Sequence, residues 1–152
     1  MNSNERLDAI VGWNAVRVAR IIGAKLTTQL AAHDVGLVQF GVLSCLGDGG
    51  EMTSAAIARA VFVRPQSMSQ VLDGMEEQGL IRRVGVRARG QRNPVRITPF
   101  GNQTLVNAQS LALETNDLSE VGLDRVESER LNGLLLRVIR AAGDVRESDL
   151  NP

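Results

Sequence analysis

The chain has 152 residues and only one cysteine and one histidine. A single cysteine excludes an internal disulfide framework and fits a reducing compartment. One thiol and one imidazole also tell against a zinc site of the common types. No apolar run reaches the length of a membrane span, and the opening MNSNERLDAI has neither the basic region nor the apolar stretch of a signal peptide. A soluble, cytoplasmic protein is expected, with no metal, no cofactor and no membrane partner. The residues for catalysis are also missing: the carboxylates are scattered over helix surfaces, and His33 has no motif around it. The chain is not expected to be an enzyme.

Net charge is zero, with 17 basic and 17 acidic residues, so the total says nothing about nucleic acid. The distribution does. The stretch 82–98, RRVGVRARGQRNPVRIT, holds Arg82, Arg83, Arg87, Arg89, Arg92 and Arg96 and not one acidic residue. Taking those six from the 17 basic residues leaves 11 against 17 acidic. Charge asymmetry of this kind marks a local anion site better than total charge does. Lys25 is the chain's single lysine, so the position of the arginines carries more meaning than the choice of arginine.

The apolar content, 43%, is enough for a globular core. Residues 5–33 read as one long helix, with Leu7, Val11, Ala15, Val18, Ile22, Leu26 and Leu30 on one face. Ile10, Trp13 and Ile21 lie off that line, so a second face is partly apolar and points to a partner. The helix should end before Asp34-Val35-Gly36. LVQFGVLSCL (37–46) follows as a short apolar helix, and the glycines of 47–51 make a turn. Thr53 can cap a helix whose Ala56, Ile57 and Ala60 face inward. After Val61-Phe62-Val63 a second helix, 65–78, begins with Pro65 in its first turn and stops at Gly79. Met68, Val71, Leu72 and Met75 form its buried stripe. Gln66, Ser69, Gln70, Asp73 and Glu77 lie opposite.

Two short helices joined by a tight turn make a helix-turn-helix pattern. The period then changes. Leu80–Val86 and Pro94–Ile97 read as two strands around a loop at Gly90, a hairpin directly after the second helix. Thr98 caps a further helix with Pro99 at its first position. A last helix starts at Asp124, with Glu127 completing a capping box, and ends at Gly143 before a polar tail.

The order of these elements, and several blocks within them, resemble the MarR family of bacterial winged-helix regulators. LVQFGVLSCL is similar to the family's LTxxQFxVLxxL, with Gln39, Phe40, Val42 and Leu43 in place. MTSAAIARAVFVRPQSMSQVLDGMEEQGLIRR follows its helix-turn-helix core. ITPFG is similar to the LTxxG that opens the next helix. The match runs in order over most of residues 5–142. Two positions depart from the pattern. Gln91 stands where the family's wing carries Asp in Asp-x-Arg, and Gly36 stands where the family often has Ser or Thr.

The expected fold is therefore mainly α with a small β-hairpin wing. It is a single MarR-like domain over 1–152: a winged helix-turn-helix lobe at 37–98, with dimerisation helices at 5–33 and 99–142. The helix at 65–78 is the candidate for base recognition. Gln66, Ser67, Ser69 and Gln70 offer groups suited to base edges and phosphates. Arg64 and the free N–H groups at the helix start suit a phosphate. Arg87, Arg89 and Arg92 near the hairpin tip suit the backbone or the minor groove. Asp73 and Glu77 would repel phosphate and mark where contact ends. Arg82 and Arg83 adjoin on a strand and point to opposite faces, so one of them can brace the sheet.

The resemblance implies a homodimer on a near-palindromic operator. It also implies a small aromatic or phenolic ligand that releases the DNA, with Trp13, His33 and Phe40 as candidate ligand-binding residues. The expected function is a ligand-released repressor. The alternatives are a ligand-independent or redox-responsive DNA binder using Cys45, and a winged-helix protein-interaction module.

Overall fold

The computed structural model describes residues 3–85 and 94–148. The elements run α1 (Ser3–Asp8), α2 (Val11–Ala31), α3 (Leu37–Leu46), α4 (Ser54–Ala60), α5 (Pro65–Glu77), β1 (Ile81–Arg83), β2 (Val95–Ile97), α6 (Pro99–Glu114), a single 3-10 turn (Ser119–Val121) and α7 (Arg125–Ser148). The chain is mainly helical with one small hairpin, as the sequence pattern indicates. It divides into two compact units, Met1–Leu113 and Glu114–Pro152.

In the first unit the long N-terminal helix is broken in two. Ile10 is extended, with φ −92 and ψ 104. Local side-chain bonds compete with the helix there. The Asn14 side-chain amide donates to the Asp8 carbonyl at 2.7 Å, and Arg17 pairs with the Asp8 carboxylate at 2.9 Å. α2 ends at Ala31, two residues short of the expected limit. Asp34 takes a left-handed φ of 59, and the Val35 N–H donates back to the Leu30 carbonyl at 3.1 Å. A short polar side chain tolerates that conformation better than most.

The lobe that follows builds the core. Val42, Leu43 and Leu46 of α3, Ile57 and Ala58 of α4, and Met68, Leu72 and Met75 of α5 are buried together with Leu80, Ile81, Val95 and Leu105. Thr53 caps α4 as expected, accepting the Ala56 N–H at 3.2 Å. Ala60, however, is exposed, and Ala58 takes the inward place. The shift follows from the tight end of α4, where Val63 N–H donates to the Ala58 carbonyl at 2.9 Å and turns the last residues outward. Phe62 sits at the bend with φ 57. A left-handed conformation costs an L residue roughly 1–2 kcal/mol.

α5 ends in the same kind of motif, this time with Gly79 at φ 73 and the Leu80 N–H donating to the Met75 carbonyl at 2.9 Å. β1 and β2 then pair antiparallel in the register Ile81↔Ile97, Arg82↔Arg96 and Arg83↔Val95. Met52 adds a one-residue bridge on the far side of β2, exchanging two hydrogen bonds with Val95 at 3.1 and 2.8 Å. Thr98 joins α5 to α6. Its hydroxyl donates to the Gly79 carbonyl at 2.6 Å and accepts the Gly101 N–H at 2.9 Å. At Gly101 a Cβ would lie 1.9 Å from the Leu80 carbonyl oxygen, so no side chain fits this crossing.

In the second unit, Asp124 and Glu127 form the expected capping box. Asp124 N–H donates to the Glu127 carboxylate at 2.9 Å, and Glu127 N–H donates to the Asp124 carboxylate at 2.8 Å. Gly143 does not end α7, which continues to Ser148. Glycine weakens a helix interior by only about 1 kcal/mol relative to alanine, so it need not stop one.

Candidate nucleic-acid interface

α5 presents two unlike faces because its apolar residues recur at helical spacing. Met68, Leu72 and Met75 are buried; Gln66, Ser69, Gln70 and Asp73 are exposed. The last four stand at i, i+3, i+4 and i+7 and share one stripe. Ser67 and Arg64 are exposed as well, with Ser67 flanking Gln70 and Arg64 at the N-cap. Pro65 occupies the first turn, and that turn holds no acidic residue. The positive end of the helix dipole is therefore uncompensated by a side chain, which favours an anion such as phosphate. The structure thus brings Arg64, Gln66, Ser67, Ser69 and Gln70 together on one accessible surface. Arg87, Arg89 and Arg92 lie outside the described residues.

The arginines at the base of the hairpin divide into two kinds. Arg82 is exposed. Arg83, on the opposite side of the strand, turns back onto α5. Its guanidinium donates to Asp73 at 2.7 Å and to Glu76, and its backbone N–H donates to Glu76 at 3.0 Å. Burial on its own would lower the pKa of Arg83. The hydrogen bonds and charges of Asp73 and Glu76 outweigh it and hold the group above its ordinary value. Arg83 is therefore the bracing arginine, and Asp73 is engaged by a cation rather than standing as a bare repulsive charge. Arg96 is also neutralised, pairing with Glu51 at 2.6 Å. Arg82 and Arg96 face each other across the strands, a costly placement for like charges that Glu51 relieves.

Sequence reasoning missed the Glu51–Arg96 pair and the Met52 bridge, since partners 45 and 43 positions apart leave no local pattern. The Arg83 clamp carried a weak signal: Asp73 and Glu76 lie one turn apart on the helix that leads directly into the strand.

The three candidate ligand residues are not gathered in one place. Trp13 borders an open hollow of about 290 Å³ lined also by Leu7, Asp8 and Arg17. His33 lies beyond the other end of α2, and the helix between them rises about 27 Å at 1.5 Å per residue. Phe40 is half-buried and packs against both apolar clusters of this unit, one around α3–α5 and one around Leu30, Val35 and Ala108. Within one subunit, Trp13 and His33 are too far apart to hold the same small aromatic molecule.

Cys45 is half-buried, and desolvation pushes its thiol above the ordinary value. Reactive cysteines need the thiolate, which this setting disfavours. Among the described residues no group of His, Cys, Asp and Glu could hold a metal ion, and no helix is long and apolar enough to cross a membrane.

Two helices joined by a tight turn, a hairpin bridged on its far side by Met52, and a capped return helix define a winged helix-turn-helix protein. The chain matches the family model described as MarR family over residues 33–92. It is 27% identical over 104 residues to the HTH-type transcriptional repressor Rv2887 of Mycobacterium tuberculosis, covering 68% of this chain and 75% of that protein. The crystal structure of Rv2887 in complex with DNA superposes with a TM-score of 0.69 at 21% identity, over 86% of this chain and 98% of that one. The complex of Rv2887 with salicylic acid gives a TM-score of 0.70 at 22% identity, over 86% and 96%. The fold is thus shared with both.

Proposed function

We propose that this protein is a homodimeric, DNA-binding transcriptional repressor of the cytoplasm that a small aromatic acid releases from its operator. The carrying observation is the exposed stripe Gln66, Ser69 and Gln70 on a helix whose opposite face buries Met68, Leu72 and Met75, with Val71 half-buried beside them. Its N-terminus, with Arg64 and no acidic residue, suits a phosphate. Glutamine can bond adenine through two contacts in the major groove, and serine reaches base or phosphate. On this reading Ser67 supplies a further polar contact, and Arg87, Arg89 and Arg92 neutralise phosphates or enter the minor groove.

The single-domain layout then has a division of labour. The lobe 37–98 meets DNA, and the helices of 5–33 and 99–142 hold two copies together. Ile10, Trp13, Val16 and Ile21 on the first of these, and Leu134, Leu135, Val138 and Ile139 on the last, are exposed apolar residues that a second copy would cover. A two-fold pair of lobes reads a near-palindrome with half-sites about one helical turn apart. The similarity to a repressor solved with DNA and with salicylic acid supports both the DNA and the effector parts of this reading. The effector acts only if it binds one spacing of the two recognition helices better than the other. Within one subunit the effector role falls to Trp13 at its hollow or to His33, not to both.

The test is a fluorescence titration of the protein on the DNA upstream of its own gene, repeated with a panel of aromatic acids. Saturable binding that one of the acids reverses is expected. Absence of any association at low salt would remove the DNA-binding claim; binding indifferent to every acid would remove the effector.

A further inference from the structure

Arg83 lies where the chain leaves the recognition helix and enters the hairpin. Asp73 and Glu76, its two partners, sit one turn apart on α5, and Asp73 continues the stripe of Gln66, Ser69 and Gln70. The contact involves three hydrogen bonds, one of them from the Arg83 main chain, so it fixes the strand itself and not only a side chain. Arg83 also pairs with Val95 of β2 in the strand register. On the far side of β2, Met52 holds Val95, and Glu51 holds Arg96. The hairpin base is thus gripped by α5 through one strand and by the turn before α4 through the other.

We infer that Arg83 is a positioning residue for DNA binding: through Asp73 and Glu76 it fixes the hairpin relative to the recognition helix, and it does not itself contact DNA. The inference rests on the DNA-binding reading above. Two carboxylates already satisfy its guanidinium and would repel a phosphate brought to the same place. Its side chain is 22% exposed, against 53% for Asp73, so the cation lies beneath its partner. Arg82, one residue earlier, faces the other way and is exposed. The arginines of this stretch therefore have separate tasks, and the clamp serves by holding two DNA-facing elements in one arrangement before DNA arrives. A pair of elements ordered in advance loses less freedom on binding than a pair that must be ordered then.

The experiment uses the full chain and a duplex that the wild-type protein itself selects from a random pool, with a shuffled duplex of the same composition as reference. Affinity for both is measured across a salt series for wild type, Arg83→Met, Arg83→Lys, Asp73→Asn and Arg89→Ala. Arg83→Met and Asp73→Asn should lower the selected-to-shuffled ratio by about tenfold, the loss of one charge-assisted hydrogen bond's worth of positioning. Their salt slopes should match wild type. Arg83→Lys should recover part of the ratio, because an ammonium keeps one of the contacts without the fork. Arg89→Ala should do the reverse, lowering the slope by about one phosphate's share with a smaller change in ratio.

A reduced slope for Arg83→Met would make Arg83 a phosphate ligand and overturn the inference. An unchanged ratio in a folded Arg83→Met protein of lowered melting temperature would overturn it too, leaving Arg83 a purely stabilising residue. If Arg83→Met does not fold, Asp73→Asn, altered at an exposed carboxylate, decides by the same ratio and slope. Failure of the wild-type protein to select any duplex would instead strike the DNA-binding reading itself.

Discussion

α5 and α7 are both amphipathic, and the chain treats their apolar faces in opposite ways. Met68, Leu72 and Met75 of α5 are at most 1% exposed. Leu134, Leu135, Val138 and Ile139 of α7 are 45–68% exposed, although their spacing is just as regular. The difference separates what a helical period can tell from what it cannot. It identifies the apolar face; it does not say whether this chain or another molecule covers it. In the lobe the cover is intramolecular, and the polar face left outside is available to DNA. On α7 the apolar face itself is outside, which fits a surface built for a second copy.

That contrast can be broken most forcefully in the lobe. Leu72→Ala removes a fully packed side chain and should cost about 2–5 kcal/mol of stability, read from denaturant unfolding. A loss below about 1 kcal/mol would mean the lobe core is looser than its burial indicates. On α7 the corresponding change should leave the fold standing and act on assembly. Ile139→Glu puts a charge on the exposed apolar face, and burying it unpaired would cost several kcal/mol. Sedimentation should show monomers with the helical circular dichroism signal retained. A dimer that persists would place the subunit contact elsewhere.

Smaller effects are expected where side chains touch DNA rather than core. Gln70→Ala should reduce discrimination between selected and altered base pairs by about 1–3 kcal/mol, with the salt slope kept. An unaltered preference in a base-by-base substitution panel would move base reading away from the α5 stripe. The smallest effect belongs to Cys45. Its raised thiol pKa means little thiolate near neutrality, so Cys45→Ser should leave DNA binding and its response to peroxide as they are. Loss of a peroxide response in that variant would revive the redox alternative.

Much of the architecture could be read from the sequence because its signals are local. Thr53, Pro65, Gly79, Thr98 and the Asp124–Glu127 box each act within a few residues, and the structure places each as its local chemistry dictates. The failures came where a distant or competing bond decides. The split at Ala9–Ile10 depends on side chains of α2 reaching back to Asp8. The inward turn of Ala58 depends on a left-handed Phe62, a position where composition would favour glycine. At the interface, the stripe Gln66, Ser69 and Gln70 was legible from period alone. The sorting of the arginines was not: Arg83 and Arg96 carry the same charge as their neighbours, and only the fold shows them meeting Asp73, Glu76 and Glu51. The long reach from Trp13 to His33 along α2 was implicit in helix geometry and separates residues that chemistry alone had grouped.

The central claim is that the exposed face of α5 reads DNA sequence while the hairpin supplies charge. The most direct measurement is the affinity of the wild-type protein for its selected duplex and for a shuffled one across a salt series. The account predicts that both affinities fall linearly with the logarithm of salt, and that the selected duplex stays tighter throughout by about a thousandfold or more. Equal affinity for the two duplexes at every salt concentration, or no binding to either, would contradict it.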